Sequence, residues 1–229
     1  MLFPIIFKLS CVGSCCITDG RGDHGYVSMR GTFLGSGDDI KMDIINMLRE
    51  DSELSELLYR VCDVEILPGF QTPQDESGHL TYNIPGKTFA GSASGSEYIL
   101  LDDGSVGFWG SEGECGRLAD STEDFFEFII NCPCWQDHLD EYEYGDRDSL
   151  EKYAESVREE QLAYAGDSGY DLSEVQERLA DGLGLAIKSD KTDLLMRFYK
   201  CAVREPRFIS TFTEDDGSVH RSTGSVFDR

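Results

Sequence analysis

Apolar and polar positions follow two different periods along this chain. From about residue 62 to 110 they alternate, or gather in short apolar blocks bounded by turn residues, which is the pattern of strands. Val64-Glu65-Ile66-Leu67 alternates up to Pro68-Gly69, and Leu80-Thr81-Tyr82-Asn83-Ile84 alternates up to Pro85-Gly86. Glu97 to Leu101 reads as a buried strand and Ser105 to Trp109 as its returning partner. Between them Asp103-Gly104 predicts a two-residue hairpin turn with both central residues at positive φ.

Elsewhere the spacing is helical. Ile40, Ile44, Ile45 and Leu48 share a stripe behind Asp38-Asp39, and Leu54, Leu57, Leu58 and Val61 follow Ser52. Ser121, with Asp124 three residues on, predicts a capped helix through Phe125, Phe128 and Ile129. Three more helices follow. Leu150, Tyr153, Ala154, Val157 and Gln161 stand behind Asp148-Ser149; Leu172, Val175, Leu179 and Leu183 stand behind Asp171 and end at Gly182 and Gly184. Leu194, Leu195, Phe198 and Ala202 open near Asp190 and stop before Pro206. Phe208 to Phe212 predicts a last strand before the turn at Asp215-Asp216-Gly217-Ser218, and Gly110 to Ala119 reads as a glycine-rich loop.

Strands concentrated before residue 110 and helices after 120 predict an α+β fold. The expected form is a mainly antiparallel sheet with N-terminal helices and a C-terminal helical half. Residues 1–37 show no sustained period and are set apart as an N-terminal arm; 38–229 form one domain, strand-rich over 62–110 and helix-rich over 120–205. Ile5 to Val12 and Tyr26 to Leu34 are the arm's candidate strands, and Arg21-Gly22-Asp23 is read as a chance match.

Charge changes this picture from a fold to a surface. The 229 residues carry 44 Asp and Glu against 20 Lys and Arg, a net charge of −24. Between Ser111 and Ala180 lie 20 acids and five bases. Such a chain repels nucleic acid and anionic membranes and attracts a basic partner through long-range steering. Eight cysteines would suit four disulfides. The apolar run at Met1 to Phe7 has no basic start and is broken by Pro4, so a reducing cytoplasm and free thiols are the expectation.

Candidate chemistry is thin. Cys132-Pro133-Cys134 with His138 is a possible metal cluster, but the paired knuckles of zinc sites are missing, and buried cysteine acting as a small hydrophobe is the expected role. His24, His79, His138 and His220 have no accompanying nucleophile motif. Cys115 is flanked by Glu112, Glu114 and Asp120, acids expected to raise its pKa and blunt it. Gly91 to Gly95 precedes a strand and lacks the lysine of a phosphate loop. Asp146-Arg147-Asp148 and Glu214-Asp215-Asp216 read as caps or turns, not calcium loops. No cofactor, metal or catalytic residue is predicted. Phe108 and Trp109 beside Glu112 and Glu114 have two readings: one ring under the 121–130 helix with solvated acids, or an aromatic anchor ringed by acids for a basic partner. The predicted partner-binding residues are Trp109, Glu112, Glu114, Asp120, Glu141 and Glu143, and the contact surface is expected on the loop from Gly110 to Arg117 and the acidic helices after it.

The order Phe89-Ala90, Ser94-Gly95-Ser96-Glu97-Tyr98, Asp103-Gly104-Ser105-Val106, Gly116 to Ala119 and the helix Phe125-Phe126-Glu127-Phe128-Ile129 resembles the SUKH superfamily. That group includes a fungal cell-wall assembly regulator and many bacterial toxin-immunity proteins. Asn131-Cys132-Pro133-Cys134-Trp135 is similar to the Cys-Pro-aromatic turn of its longer bacterial members, with Cys134 inserted, and Ser225-Val226-Phe227 to their terminal Ser-x-Phe. The resemblance spans 38–227. The leucine-proline and asparagine-glycine pattern of shorter members is not evident over 54–70. The resemblance implies an α+β binding module without shared catalytic residues, often an antidote that blocks a cognate toxin. The expectation is therefore a non-enzymatic cytoplasmic immunity protein with a basic, nuclease-type toxin as partner. The alternatives are a regulatory or scaffolding module of the same fold, and a hydrolase using paired carboxylates.

Overall fold

Helix α1 (Gly37–Glu50) buries Ile44, Ile45 and Leu48, and helix α2 (Ser52–Cys62) buries Leu54, Leu57, Leu58 and Val61. These positions recur every three or four residues, so each helix presents one apolar stripe. The computed structural model describes residues 37–73 and 79–227, all within one compact unit. The predicted arm strands, the adhesion-like tripeptide and His24 lie outside the described residues. The cap of α2 is Asp51 and not Ser52: its Oδ1 accepts from the amides of Glu53 and Leu54 at 3.0 Å.

Five strands form an antiparallel sheet in the order β1 (Glu65–Gln71), β3 (Gly86–Gly91), β4 (Glu97–Leu101), β5 (Val106–Trp109) and β6 (Cys115–Ala119). A smaller sheet has the order β2 (Leu80–Tyr82), β7 (Ser210–Thr213) and β8 (Val219–Arg221). Pro68-Gly69 does not end β1; the strand runs through it to Gln71 with a register shift. An edge strand tolerates this because proline's missing N–H faces away from the ladder. Leu80 to Tyr82 is a strand as expected, but it pairs with β7 and not with the main sheet.

Four hairpins turn by one device. Across Ser92–Ser96, Leu101–Ser105, Gly110–Glu114 and Glu214–Ser218, the first residue's amide donates to the last carbonyl and the glycine amide to the first carbonyl. Only the glycine, at φ between 83° and 93°, leaves the ordinary region. The 101–105 turn is thus a three-residue loop with a glycine bulge, not the predicted two-residue turn, and Asp103 keeps negative φ.

The main sheet is covered on both faces, residues of β4 and β5 alternating between them. Tyr98, Val106, Phe108 and Leu118 join the large core under the helices, while Ile99, Leu101 and Cys115 join a second cluster around Phe208. Phe108 stacks edge-on against Trp135 at 5.1 Å, and Phe125 meets Phe89, Tyr98 and Phe126. The predicted loop over 110–119 contains strand β6, whose five residues are all buried. Gly116 is required there: a Cβ would lie 2.9 Å from the Val226 amide nitrogen.

Helix α3 (Thr122–Asn131) is capped by Ser121 as predicted, the Asp124 amide donating to its Oγ at 3.1 Å. Two 3-10 helices follow, Trp135–His138 and Glu141–Gly145, then α4 (Arg147–Asp167), α5 (Leu172–Leu183) and α6 (Thr192–Ala202). Asp146 caps α4, accepting from Ser149 N at 3.0 Å. Asp171 caps α5 as expected, and Gly184 ends it in the left-handed conformation. Gly182 lies inside that helix, against Leu54. The last predicted strand begins at Ser210 and is followed by β8, which sequence reading missed. Ser225, Val226 and Phe227 form a buried turn. No described helix is long and apolar enough to cross a membrane.

Candidate partner-binding surface

The six predicted contact residues fall in three places. Glu112 and Glu114 sit on the β5–β6 turn beside Trp109. Asp120 follows the other end of β6, roughly 20 Å away at the rise of an extended strand. Glu141 and Glu143 belong to the 3-10 helix before α4.

At the first place Trp109 is half-buried and packs against the cluster of Ile99, Leu101, Cys115 and Phe208. Its neighbour Phe108 packs beneath the helices. One ring serves each face of the sheet, because adjacent strand residues point opposite ways. A groove of about 400 Å³ runs between this turn and the C-terminal segment, lined by Glu112, Glu114, Cys115, Arg221, Thr223 and Ser225. Arg117, predicted as part of this loop, is instead buried in β6 with its guanidinium paired to Asp103.

At the second place Asp120 is already neutralised. Arg204 donates to its carboxylate. Asp124 and Glu127 on α3 are held by Arg197 and Lys188. Burial opposes ionisation of Glu127, but the Lys188 and Arg197 hydrogen bonds outweigh it and hold its pKa below the ordinary range. The basic side chains near α6 therefore pair with Asp124 and Glu127 of α3.

The third place is different. Between Asp140 and Glu177 no acid forms an ion pair among the described residues; the ion pairs of Arg147 go to Asp190 and Asp193, and that of Arg178 to Glu53. Leu150, Ala154, Val157, Gln161 and Ala165 turn one face of α4 inward. Asp148, Glu151, Glu155, Glu159 and Leu162 share the opposite, exposed face at helical spacing. Tyr142 is 88% exposed and Tyr164 68%. Exposed aromatic rings are enriched at interfaces, and acids without ion pairs steer a basic partner towards them. The sequence pointed to the acidic helices after the 110–117 loop without naming these α4 residues; the complement of the buried α4 stripe was the available signal.

Chemistry elsewhere is subdued. Burial pushes the thiols of Cys115, Cys132 and Cys201 up to about 12, and those of Cys62 and Cys134 up as well. For Cys115 burial, not the flanking acids, is the cause. Burial lowers His138 to about 4, and its Nδ1 has no hydrogen-bond partner among the described residues. Cys132, Cys134 and His138 do not form a metal cluster; among the described residues no group of three such side chains could hold an ion. Asp146 and Asp216 act as cap and turn acceptors. No family model, curated protein or solved structure matches the chain.

Proposed function

We propose that this chain is a non-enzymatic binding protein of SUKH type, an immunity protein that neutralises a basic, nuclease-type toxin. One observation carries the reading: the acids from Asp140 to Glu177 form no ion pairs among the described residues, and Tyr142, between Glu141 and Glu143, and Leu162, on the acidic stripe of α4, are exposed. Nuclease surfaces that grip phosphate are basic, so an acidic face mimics the substrate's charge and accelerates encounter. The aromatic rings supply the desolvated anchors that charge alone does not. The resemblance over residues 89–135 supplies the immunity role. The raised thiol pKa values argue against a cysteine nucleophile.

The contact surface in this reading is the face of α4 with the preceding 3-10 helix, including Glu141 and Glu143. The groove beside Glu112 and Glu114 is secondary, and Asp120 contributes through its ion pair to stability. Affinity capture with the product of the adjacent gene, at low and high salt, tests the proposal. A toxin that is bound and inhibited, with affinity falling steeply as salt rises, is the expected result. A neighbouring toxin that stays active in the presence of the purified chain would sink it.

A further inference from the structure

An apolar well opens between the end of β6, α3 and α6. Its volume is about 120 Å³. Leu118, Phe128, Leu194 and Phe198, all buried, line it, with Cys201 at one side. Asp120, Asp124, Arg197 and Lys200 contribute the charges around it. Three of them are already committed, Asp120 to Arg204, and Asp124 and Arg197 to each other. Lys200 is exposed and has no hydrogen bond or ion pair among the described residues.

We propose that this well binds a small amphiphilic carboxylate, its branched aliphatic or phenyl group inside and its carboxylate on Lys200. The size is right for one such group: an apolar cavity of about 150 Å³ stays dry and takes up benzene. The polarity follows from the rim. A carboxylate gains the one uncommitted charge, a neutral amide gains only a hydrogen bond, and an amine must compete for an acid that is already paired. The preference order is therefore carboxylate, amide, amine. This inference does not depend on the immunity reading.

The test is a methyl and amide NMR titration of the full chain with benzoate, benzamide and benzylamine as probes. Benzoate is expected to shift the Leu118 and Leu194 signals and to bind about fivefold more tightly than benzamide, the range of one exposed ion pair. K200Q, a change on an exposed side chain, should abolish that difference while leaving benzamide affinity unchanged. No shift at Leu118 and Leu194 with any probe would overturn the site. Equal binding of benzoate and benzamide to the unmodified chain would overturn the carboxylate and point to a partner's apolar side chain.

Discussion

The guanidinium of Arg117, 2% exposed, lies 2.8 Å from the carboxylate of Asp103 in the turn between β4 and β5. Arg117 also donates to Ser105 Oγ and, at 3.4 Å, to the carbonyl of Pro206. Burial opposes ionisation of Asp103, but hydrogen bonds from Ser105 and Arg117 together hold its pKa below the usual carboxylate range. One side chain thus ties a hairpin turn, an edge strand and the C-terminal segment. Arg117→Leu should destabilise the chain by about 2 kcal/mol, less than a fully buried pair because Asp103 is partly solvated. Urea unfolding would show a lower midpoint at unchanged slope. D103N should cost at least as much, since it leaves the buried Arg117 cation without a counter-charge, whereas Arg117→Leu leaves only a partly solvated carboxylate.

Buried His138 makes stability depend on acid. Its folded pKa, lowered from 6.5 to about 4, lies below the unfolded value. The unfolded chain therefore binds the extra proton as pH falls from about 6.5 towards 4, and stability is lost across that window. The full contribution is of order 3 kcal/mol. Melting curves between neutral and mildly acidic pH should fall less steeply for His138→Leu than for the parent. Parallel curves would refute the assignment.

Reversing charge on the exposed α4 face separates function from stability. E155K and E159K together should leave the urea midpoint within about 0.5 kcal/mol of the parent, because neither side chain is buried or ion-paired. Association with a basic partner should slow by about tenfold or more at low salt, and the difference should shrink as salt rises. Stopped-flow mixing would resolve both effects.

Gly107 is a packing requirement. A Cβ there would lie 2.7 Å from the ring of Phe208, which is fully buried. Gly107→Ala should cost about 1–3 kcal/mol through displaced packing, read as a lower thermal midpoint. G69A, where a Cβ meets nothing within 4 Å, serves as the control.

Thiol labelling under native conditions should be slow at Cys62, Cys115, Cys132 and Cys201, which are buried, and faster at half-buried Cys134. Peptide mapping after a short pulse of alkylating reagent distinguishes them. Equal labelling of all five would contradict the packing around β6 and α3.

The hairpins and helices were legible where a local rule acts alone. Alternation placed β4 and β5, and Ser121 with Asp124 placed the start of α3. Strand β6 was not legible, because Cys115-Gly116-Arg117-Leu118-Ala119 mixes a glycine and a charge that normally argue for a loop. Its burial comes from distant residues: Val226 against Gly116, and Asp103 beside Arg117. The candidate surface was half legible. Glu141 and Glu143 sit in the 3-10 helix before α4 with no ion pair among the described residues, whereas Asp120 belongs to an ion pair with Arg204, 84 positions along the chain.

By itself the sequence determined the α+β class, the helix stripes and the excess of acid, because period, capping and charge are properties of neighbouring residues. Tertiary structure decided which acids remain uncompensated. Folding brings Lys188, Arg197 and Arg204 against α3 and the end of β6, and gives the acidic face of α4 no such partner. Coulombic pairing acts over a few ångströms of space, and the spacing of residues along the chain does not set that distance.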